Sequence, residues 1–310
     1  MSARRWRYRQ YLDDCDGFPL ADHSPASPAS SFGIAGLQLA FAPGDNIDQL
    51  IAEIESVAKR FPWVSMIVAG ELCGYGANTQ FADCMADAEG RLSRVAAQHK
   101  LWIIPGSLYE KRDGAFFNTT PVINPQGEVI ARYRKIFPFL PYEAGIEPGN
   151  EFVVFDVPDV GCFGISICYD MWFPETIRSL VSLGAEVILH PTMTNTIDRD
   201  PEIAIARANA LTNQCYFVDI NVAGNLGVGQ SVICGPGGEV IYQAGTGREI
   251  IPFEVDLDYL RRCRERGWQG LGQPLKSFRD NTIVYPAYGA ARAPSTALES
   301  LGPLELPQRL

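Results

Sequence analysis

The chain has 310 residues, 46% of them apolar, which is enough for one sizeable core. Its net charge of −10 argues against nucleic acid or an anionic membrane as partner, because both attract basic surfaces. Eight cysteines (Cys15, Cys73, Cys84, Cys162, Cys168, Cys215, Cys234 and Cys263) contain no Cys-x-x-Cys pair and only three histidines accompany them, so reduced thiols are expected rather than a metal site or a disulfide frame.

No apolar run reaches membrane-spanning length, and the first thirty residues hold no hydrophobic stretch of signal-peptide size. A cytoplasmic protein is the expectation. The Pro/Ser/Ala segment at 22–31 marks residues 1–31 as a flexible arm. Phe32 to Phe41 reads as a first strand. A helix follows, with Asp45 or Asn46 as cap and Ile47, Leu50, Ile51, Ile54, Val57 and Ala58 at helical spacing. The apolar strand Met66-Ile67-Val68-Ala69 runs into Gly70-Glu71, and a second helix is expected near 83–99. Residues 101–109 then read as one strand, and 118–130 as a hairpin around Asn124-Pro125-Gln126-Gly127 that ends in Arg132-Tyr133-Arg134-Lys135.

The second half repeats this style. Strands are expected at 152–155 and 162–167, a helix at 175–183, a strand at 185–190 and a helix at 201–213. A strand at 216–222 and a hairpin at 232–242 around Gly235-Pro236-Gly237-Gly238 complete the pattern. Two halves of alternating strands and helices imply an α/β protein with two packed sheets and helices outside. The domain is expected over 32–280, with an irregular tail at 281–310.

Three side chains stand out at strand ends. Cys168 closes the strand in Gly164-Ile165-Ser166-Ile167-Cys168-Tyr169-Asp170-Met171-Trp172-Phe173-Pro174-Glu175, where a sharp turn into a helix can present a nucleophile. A buried structural thiol is the bland alternative. The helix start is expected to lower the thiol pKa, and the Tyr169 N–H to face an oxyanion. Glu71 could be a solvated loop residue, but its apolar neighbours suggest a dry carboxylate suited to proton transfer. Lys135 could be an exposed basic edge. His190, at a strand end, is better read as a satisfied histidine than as the partner of Cys168, since no cysteine-protease signature surrounds the thiol.

Glu71, Lys135 and Cys168, in this order and each at a strand edge, resemble the Glu-Lys-Cys triad of the nitrilase superfamily of carbon-nitrogen hydrolases. Asn124-Pro125-Gln126-Gly127 followed by Tyr133-Arg134-Lys135 is similar to the family's lysine hairpin. The stretch from Lys135 through Phe137-Pro138-Phe139 to Glu143 resembles the aliphatic amidase and formamidase branch. The family usually has proline where this chain has Gly70. The resemblance covers roughly 32–280. It implies a four-layer αββα sandwich and a thiol nucleophile with Lys135 as oxyanion partner. It further implies that Glu143 holds the substrate amide and orients the lysine, and that the enzyme needs no metal or organic cofactor. It also implies at least a homodimer, through the helices at 175–183 and 201–213 with the tail reaching across.

Tyr-Asp after the cysteine, in place of the Trp-Glu of nitrilases, favours an amidase. Met171 and Trp172 stand where N-carbamoyl hydrolases carry an arginine. A small neutral carboxamide is therefore the expected substrate, with Phe139, Tyr169, Trp172 and Met193 as candidate substrate contacts. An N-carbamoyl hydrolase, a nitrilase, a thiol acyltransferase and an inactive binding scaffold are the alternatives.

Overall fold

Strand alternation sets the architecture. The computed structural model describes residues 4–7, 31–288 and 296–306. The strands of the first half are β1 (Arg4–Arg7), β2 (Ser31–Gln38), β3 (Met66–Ala69), β4 (Trp102–Ile104), β5 (Leu108–Arg112), β6 (Ala115–Ile123) and β7 (Val129–Arg134). Those of the second are β8 (Glu151–Val157), β9 (Gly161–Ile165), β10 (Val187–Thr192), β11 (Tyr216–Asn221), β12 (Val232–Cys234), β13 (Val240–Gln243) and β14 (Glu249–Asp256). The helices are α1 (Ile47–Arg60), α2 (Met85–His99), α3 (Pro174–Ser182), α4 (Arg199–Asn213), α5 (Leu257–Arg266), α6 (Pro274–Asp280) and α7 (Thr296–Glu299).

One sheet runs β1-β8-β9-β10-β11-β12-β13 and the other β14-β2-β3-β4-β6-β5, with β7 pairing the other side of β6. Both mix parallel and antiparallel pairs: β2, β3 and β4 are parallel, as are β9, β10 and β11. Residues at every second position, such as Ile34, Met66, Val68, Phe155, Phe163, Leu189 and Val218, meet between the sheets. The intervening residues face outward. Leu37, Ile67 and Ile103 pack under α1 and α2, while Ile188, Phe217 and Val232 pack under α3 and α4. A period of two in the strands and an apolar stripe on each helix thus give four layers, αββα.

The structure departs from the sequence expectations at four places. Residues 101–109 form two strands rather than one, because the chain turns at Pro105-Gly106. Gly106 has φ +82°, and a Cβ there would lie 1.9 Å from the Gly70 carbonyl oxygen. Arg4–Arg7, within the expected flexible arm, pairs antiparallel with β8, and residues 8–30 lie outside the described ones. Glu249–Asp256 was not singled out by periodicity, yet it pairs with β2 over its whole length. Its Pro252 hides it from a propensity reading, but proline is tolerated on an edge strand, and β14 is one. Its last residue caps α5, with Asp256 Oδ1 accepting from Tyr259 N at 2.7 Å. Finally, the chain beyond Ser277 lies over α3: Arg178 sits above the Phe278 ring and Tyr288 Oη donates to Glu175 at 2.6 Å. Residues 289–295 and 307–310 of the expected tail lie outside the described ones.

Gly106 and Gly70 cross where the first sheet hands over to the loop that carries Glu71. Gly106→Ala should cost about 2–4 kcal/mol, combining a left-handed φ with a backbone overlap. Denaturant unfolding would measure it, and an unchanged midpoint would show that the crossing can relax.

Candidate active site

Three strand ends on one side of the sandwich carry the chemistry. After β3 the chain passes Gly70, where a Cβ would lie 2.6 Å from Val222 Cγ1 and 3.0 Å from the Val222 nitrogen. Glycine in place of the family's proline therefore lets β3 tuck against the end of β11. The Glu71 N–H then donates across to Thr192 O of the other sheet at 3.1 Å. Lys135 extends the β6–β7 ladder by one bond, its N–H donating to Asn118 O at 2.8 Å. Cys168 opens a five-residue 3-10 turn after β9 with φ +44°, a left-handed conformation that costs a β-carbon residue energy and must be held by its surroundings.

Asp170 supplies that hold. Its carboxylate accepts from Ile167 N at 2.8 Å, from Phe137 N at 2.9 Å and from Tyr133 Oη at 2.6 Å. Tyr133 belongs to the lysine hairpin and Asp170 to the cysteine turn, so this one side chain fixes the position of Lys135 relative to Cys168. Burial pushes the Asp170 carboxyl up to about 6, with its three donors opposing.

The four residues expected to do chemistry are brought together. Lys135 Nζ lies 2.8 Å from Glu71 Oε1 and 2.7 Å from Glu143 Oε2, with Lys135 and Glu71 buried. Asn118 Nδ2 donates to both acids, at 2.8 Å to Glu71 and 3.2 Å to Glu143, and Phe139 N donates to Glu143 at 2.6 Å. The Cys168 sulfur faces Glu71, Lys135 and the Met193 N–H. Asn118 is the residue that sequence reasoning missed here. An asparagine directly after Phe116-Phe117, inside a strand run, was the available signal.

Electrostatics divides the two glutamates. Burial raises the Glu71 carboxyl above its ordinary value and the negative Glu143 adds to this, against the pull of Lys135. Burial would raise Glu143 too, but Lys135 and the Phe139 and Asn118 donors outweigh it and hold that carboxyl below the usual range. Lys135 loses hydration on burial, yet Glu71, Cys168 and Glu143 together hold it well above its ordinary value. The thiol corrects the sequence expectation. Burial pushes Cys168 well above the ordinary cysteine value, Glu71 adds to this, and Lys135 only opposes it. The helix start does not outweigh burial, so the resting sulfur is a neutral thiol.

Three of the candidate substrate contacts, Phe139, Tyr169 and Trp172, belong to one cluster of aromatic rings. Phe139 packs on Tyr142 at 4.8 Å and on Tyr169 at 4.9 Å, and Tyr169 meets Phe173 at 5.3 Å and Trp172 at 6.0 Å. Met193 is half-buried beside Leu72, Tyr109 and Ile146. His190 does not pair with the thiol: its Nδ1 lies 2.7 Å from Ser166 Oγ, and burial pushes it down to about 4, leaving it neutral. Among the described residues no group of three His, Cys, Asp or Glu could hold a metal, and no helix is long and apolar enough to cross a membrane.

Comparisons with known proteins agree with this geometry. The carbon-nitrogen hydrolase family model matches residues 33–265. Omega-amidase NIT2-B of Xenopus laevis is 33% identical over 190 residues, 56% of this chain and 68% of that protein. The 2-oxoglutaramate amidase of Bacillus subtilis is 29% identical over 234 residues, 72% of this chain and 89% of its own. The crystal structure of Nit3 from Saccharomyces cerevisiae, described as a member of branch 10 of the nitrilase superfamily, superposes with a TM-score of 0.71 at 26% identity. It covers 77% of this chain and 94% of Nit3. Two of these relatives are named as amidases. With its family match over most of its length, its αββα layers and its Glu-Lys-Cys arrangement at three strand ends, this chain belongs to the carbon-nitrogen hydrolase family of the nitrilase superfamily.

Proposed function

We propose that the enzyme hydrolyses a small uncharged carboxamide to its acid and ammonia, with Cys168 as nucleophile and a thioester intermediate. The observation that carries this reading is the buried Lys135 ammonium shared by Glu71 and Glu143, with one carboxyl raised and the other lowered. Environments that push two like groups apart assign them different roles. Glu71 accepts and returns protons. Glu143 stays ionised and holds the lysine.

As the sulfur adds to the amide carbon, the Glu71 carboxylate takes the thiol proton. The oxyanion is met by Lys135 Nζ and the Tyr169 N–H. Collapse breaks the carbon-nitrogen bond, and Glu71 hands its proton to the departing ammonia. A water that loses a proton to Glu71 then attacks the thioester, the carbon-sulfur bond breaks, and the acid leaves as the sulfur takes that proton back.

The acyl side supports an uncharged substrate. Phe139, Tyr142, Tyr169, Trp172 and Phe173 offer aromatic faces, and the nearby cations are engaged elsewhere. Arg134 pairs with Glu110 at 2.7 Å, and Arg199 with Asp219 at 2.8 Å beneath the site. The second reading follows the relatives, whose names specify omega-amidase and 2-oxoglutaramate amidase activity. A substrate of that kind ends in a carboxylate, which would need a free cation. A dimer fits the exposed apolar side chains beside α3, where Ile283 is 60% and Val284 80% exposed. Ile177, Leu180 and Val181 of α3 pack on their own sheet. A nucleophilic thiol works in a reducing compartment, and we assign the cytoplasm.

Ammonia release from a panel of amides tests the substrate. Uncharged aliphatic and aromatic amides should exceed 2-oxoglutaramate in kcat/KM by about tenfold or more, equivalent to about 1.4 kcal/mol of discrimination. The reverse order would move the assignment to an omega-amidase. Cys168→Ala should reduce ammonia release to background while the thermal transition stays close to wild type.

Glu143→Gln should lower turnover by roughly one to two decades, the effect of losing a charged hydrogen-bond partner in a dry site, about 1.5–3 kcal/mol. Near-wild-type turnover would place Glu143 outside the machinery. Light scattering at working concentration should give at least a dimer mass, and a monodisperse monomer would refute that assembly.

A further inference from the structure

A second buried acid network lies behind the nucleophile, on β10, α4 and β11, and the proposed mechanism does not use it. Thr194 Oγ1 is 4.0 Å from Cys168 Sγ, at the outer reach of a sulfur hydrogen bond, and donates to Glu202 Oε1 at 3.0 Å. Thr194 and Glu202 are both buried. The Thr194 N–H donates to Asn221 Oδ1 at 2.9 Å, which holds the backbone there, and the bond to Glu202 orients the hydroxyl. Glu202 Oε2 lies 3.3 Å from Arg199 Nη1, and Arg199 Nη2 lies 2.8 Å from Asp219 Oδ2. Thr192 Oγ1 donates to the other Asp219 oxygen at 2.7 Å.

We propose that Glu202, acting through the Thr194 hydroxyl, is a positioning residue that sets the ionisation of Cys168 from a network separate from Glu71. This rests on Cys168 being the nucleophile. The hydroxyl has one hydrogen. While Glu202 is a carboxylate, that hydrogen is committed to it, and Thr194 presents a lone pair to the sulfur, which favours S–H over the thiolate. When Glu202 is protonated, its own O–H donates to Thr194 Oγ1. The threonine hydrogen is then released to the sulfur, where it favours the thiolate. One rotating hydroxyl thus converts the charge of Glu202 into the polarity of the hydrogen bond at the nucleophile.

The surroundings bring this switch into the neutral range. Glu202 is faced by Arg199 on its own helix, by Asp219 from β11 and by Thr194. Cys168 is faced by Glu71, Lys135 and the Met193 N–H, with neutral His190 on the neighbouring strand. One guanidinium serves two carboxylates. Burial and the Asp219 charge push the Glu202 carboxyl up to about 7, with Arg199 opposing.

The test is the pH profile of iodoacetamide alkylation, scored at Cys168 by peptide mass because Cys84 is exposed. Alkylation reads thiolate independently of turnover, so it stays informative whatever the amide panel gives. In the wild type the rise with pH should flatten as Glu202 ionises near neutrality. Glu202→Gln, which leaves Arg199 paired with Asp219, should remove the flattening and lower the apparent thiol pKa. Each unit of that shift means about tenfold faster alkylation below the midpoint. Thr194→Ser should keep the wild-type shape. Thr194→Val should lose the flattening, and adding Glu202→Gln to it should bring little further change. A Glu202→Gln profile superimposed on wild type would overturn the proposal. So would an equal shift in the Thr194→Val background, which would mean the carboxylate acts through space. If Glu202→Gln does not fold, as judged by its circular dichroism, Thr194→Val against Thr194→Ser decides the matter: identical profiles would overturn it.

Discussion

The structure depends on one buried ammonium. Lys135 is almost fully removed from water, and stripping an ion of its hydration costs several kcal/mol unless partners replace it. Two carboxylates do so here, at 2.8 and 2.7 Å, and they come from different parts of the chain, the end of β3 and the loop after β7. Neither could be lost singly without leaving the ammonium short of charge. The requirement that Glu71, Lys135 and Glu143 meet therefore constrains how β3, β6 and β7 are placed, with Asn118 on β6 bridging both acids.

That constraint extends to the cysteine through Asp170. A left-handed Cys168 is strained, and a strained residue persists only where its neighbours over-determine it. Tyr133 Oη, Phe137 N and Ile167 N all converge on the Asp170 carboxylate. Two of these donors belong to the lysine segment and one to the cysteine turn. The side chain that stabilises the elbow is thus the one that aligns the Cys168 turn with the segment carrying Lys135.

This explains why so much of the site was legible in the sequence. Tyr133-Arg134-Lys135 and Cys168-Tyr169-Asp170 are short, contiguous stretches, and each contains both a reacting group and the group that orients it. The layers were legible for a similar reason, since period-two strands and striped helices are local patterns. What escaped was non-local. Asn118 matters only because β6 lies between two acids distant in sequence. The turn at Gly106 exists because Gly70 passes within contact distance. β14 pairs with a strand more than two hundred residues away, and its proline looked like a breaker. Thr194 and Glu202 carried no motif and acquire a role only from their distance to the sulfur. The thiol pKa is not legible in the sequence, because a turn can be read there whereas the depth of burial that overrides it cannot.

A buried, neutral thiol also changes how reactivity must arise. A cysteine kept as thiolate would be open to oxidation and to adventitious metal, since those reactions follow thiolate character. Here Cys168 is 9% exposed and its ionisation is disfavoured by burial and by Glu71. Burial also raises the Glu71 carboxyl above its ordinary value, which makes it a better proton acceptor. An amide carbonyl seated against Lys135 supplies what is missing, because negative charge that leaves the thiol can then develop on an oxygen facing the ammonium. On the proposed mechanism, the nucleophile is therefore formed in the act of attack rather than stored. A dry site with one cation and two unequal acids favours the tetrahedral state over either ground state, which is the property that amide hydrolysis needs.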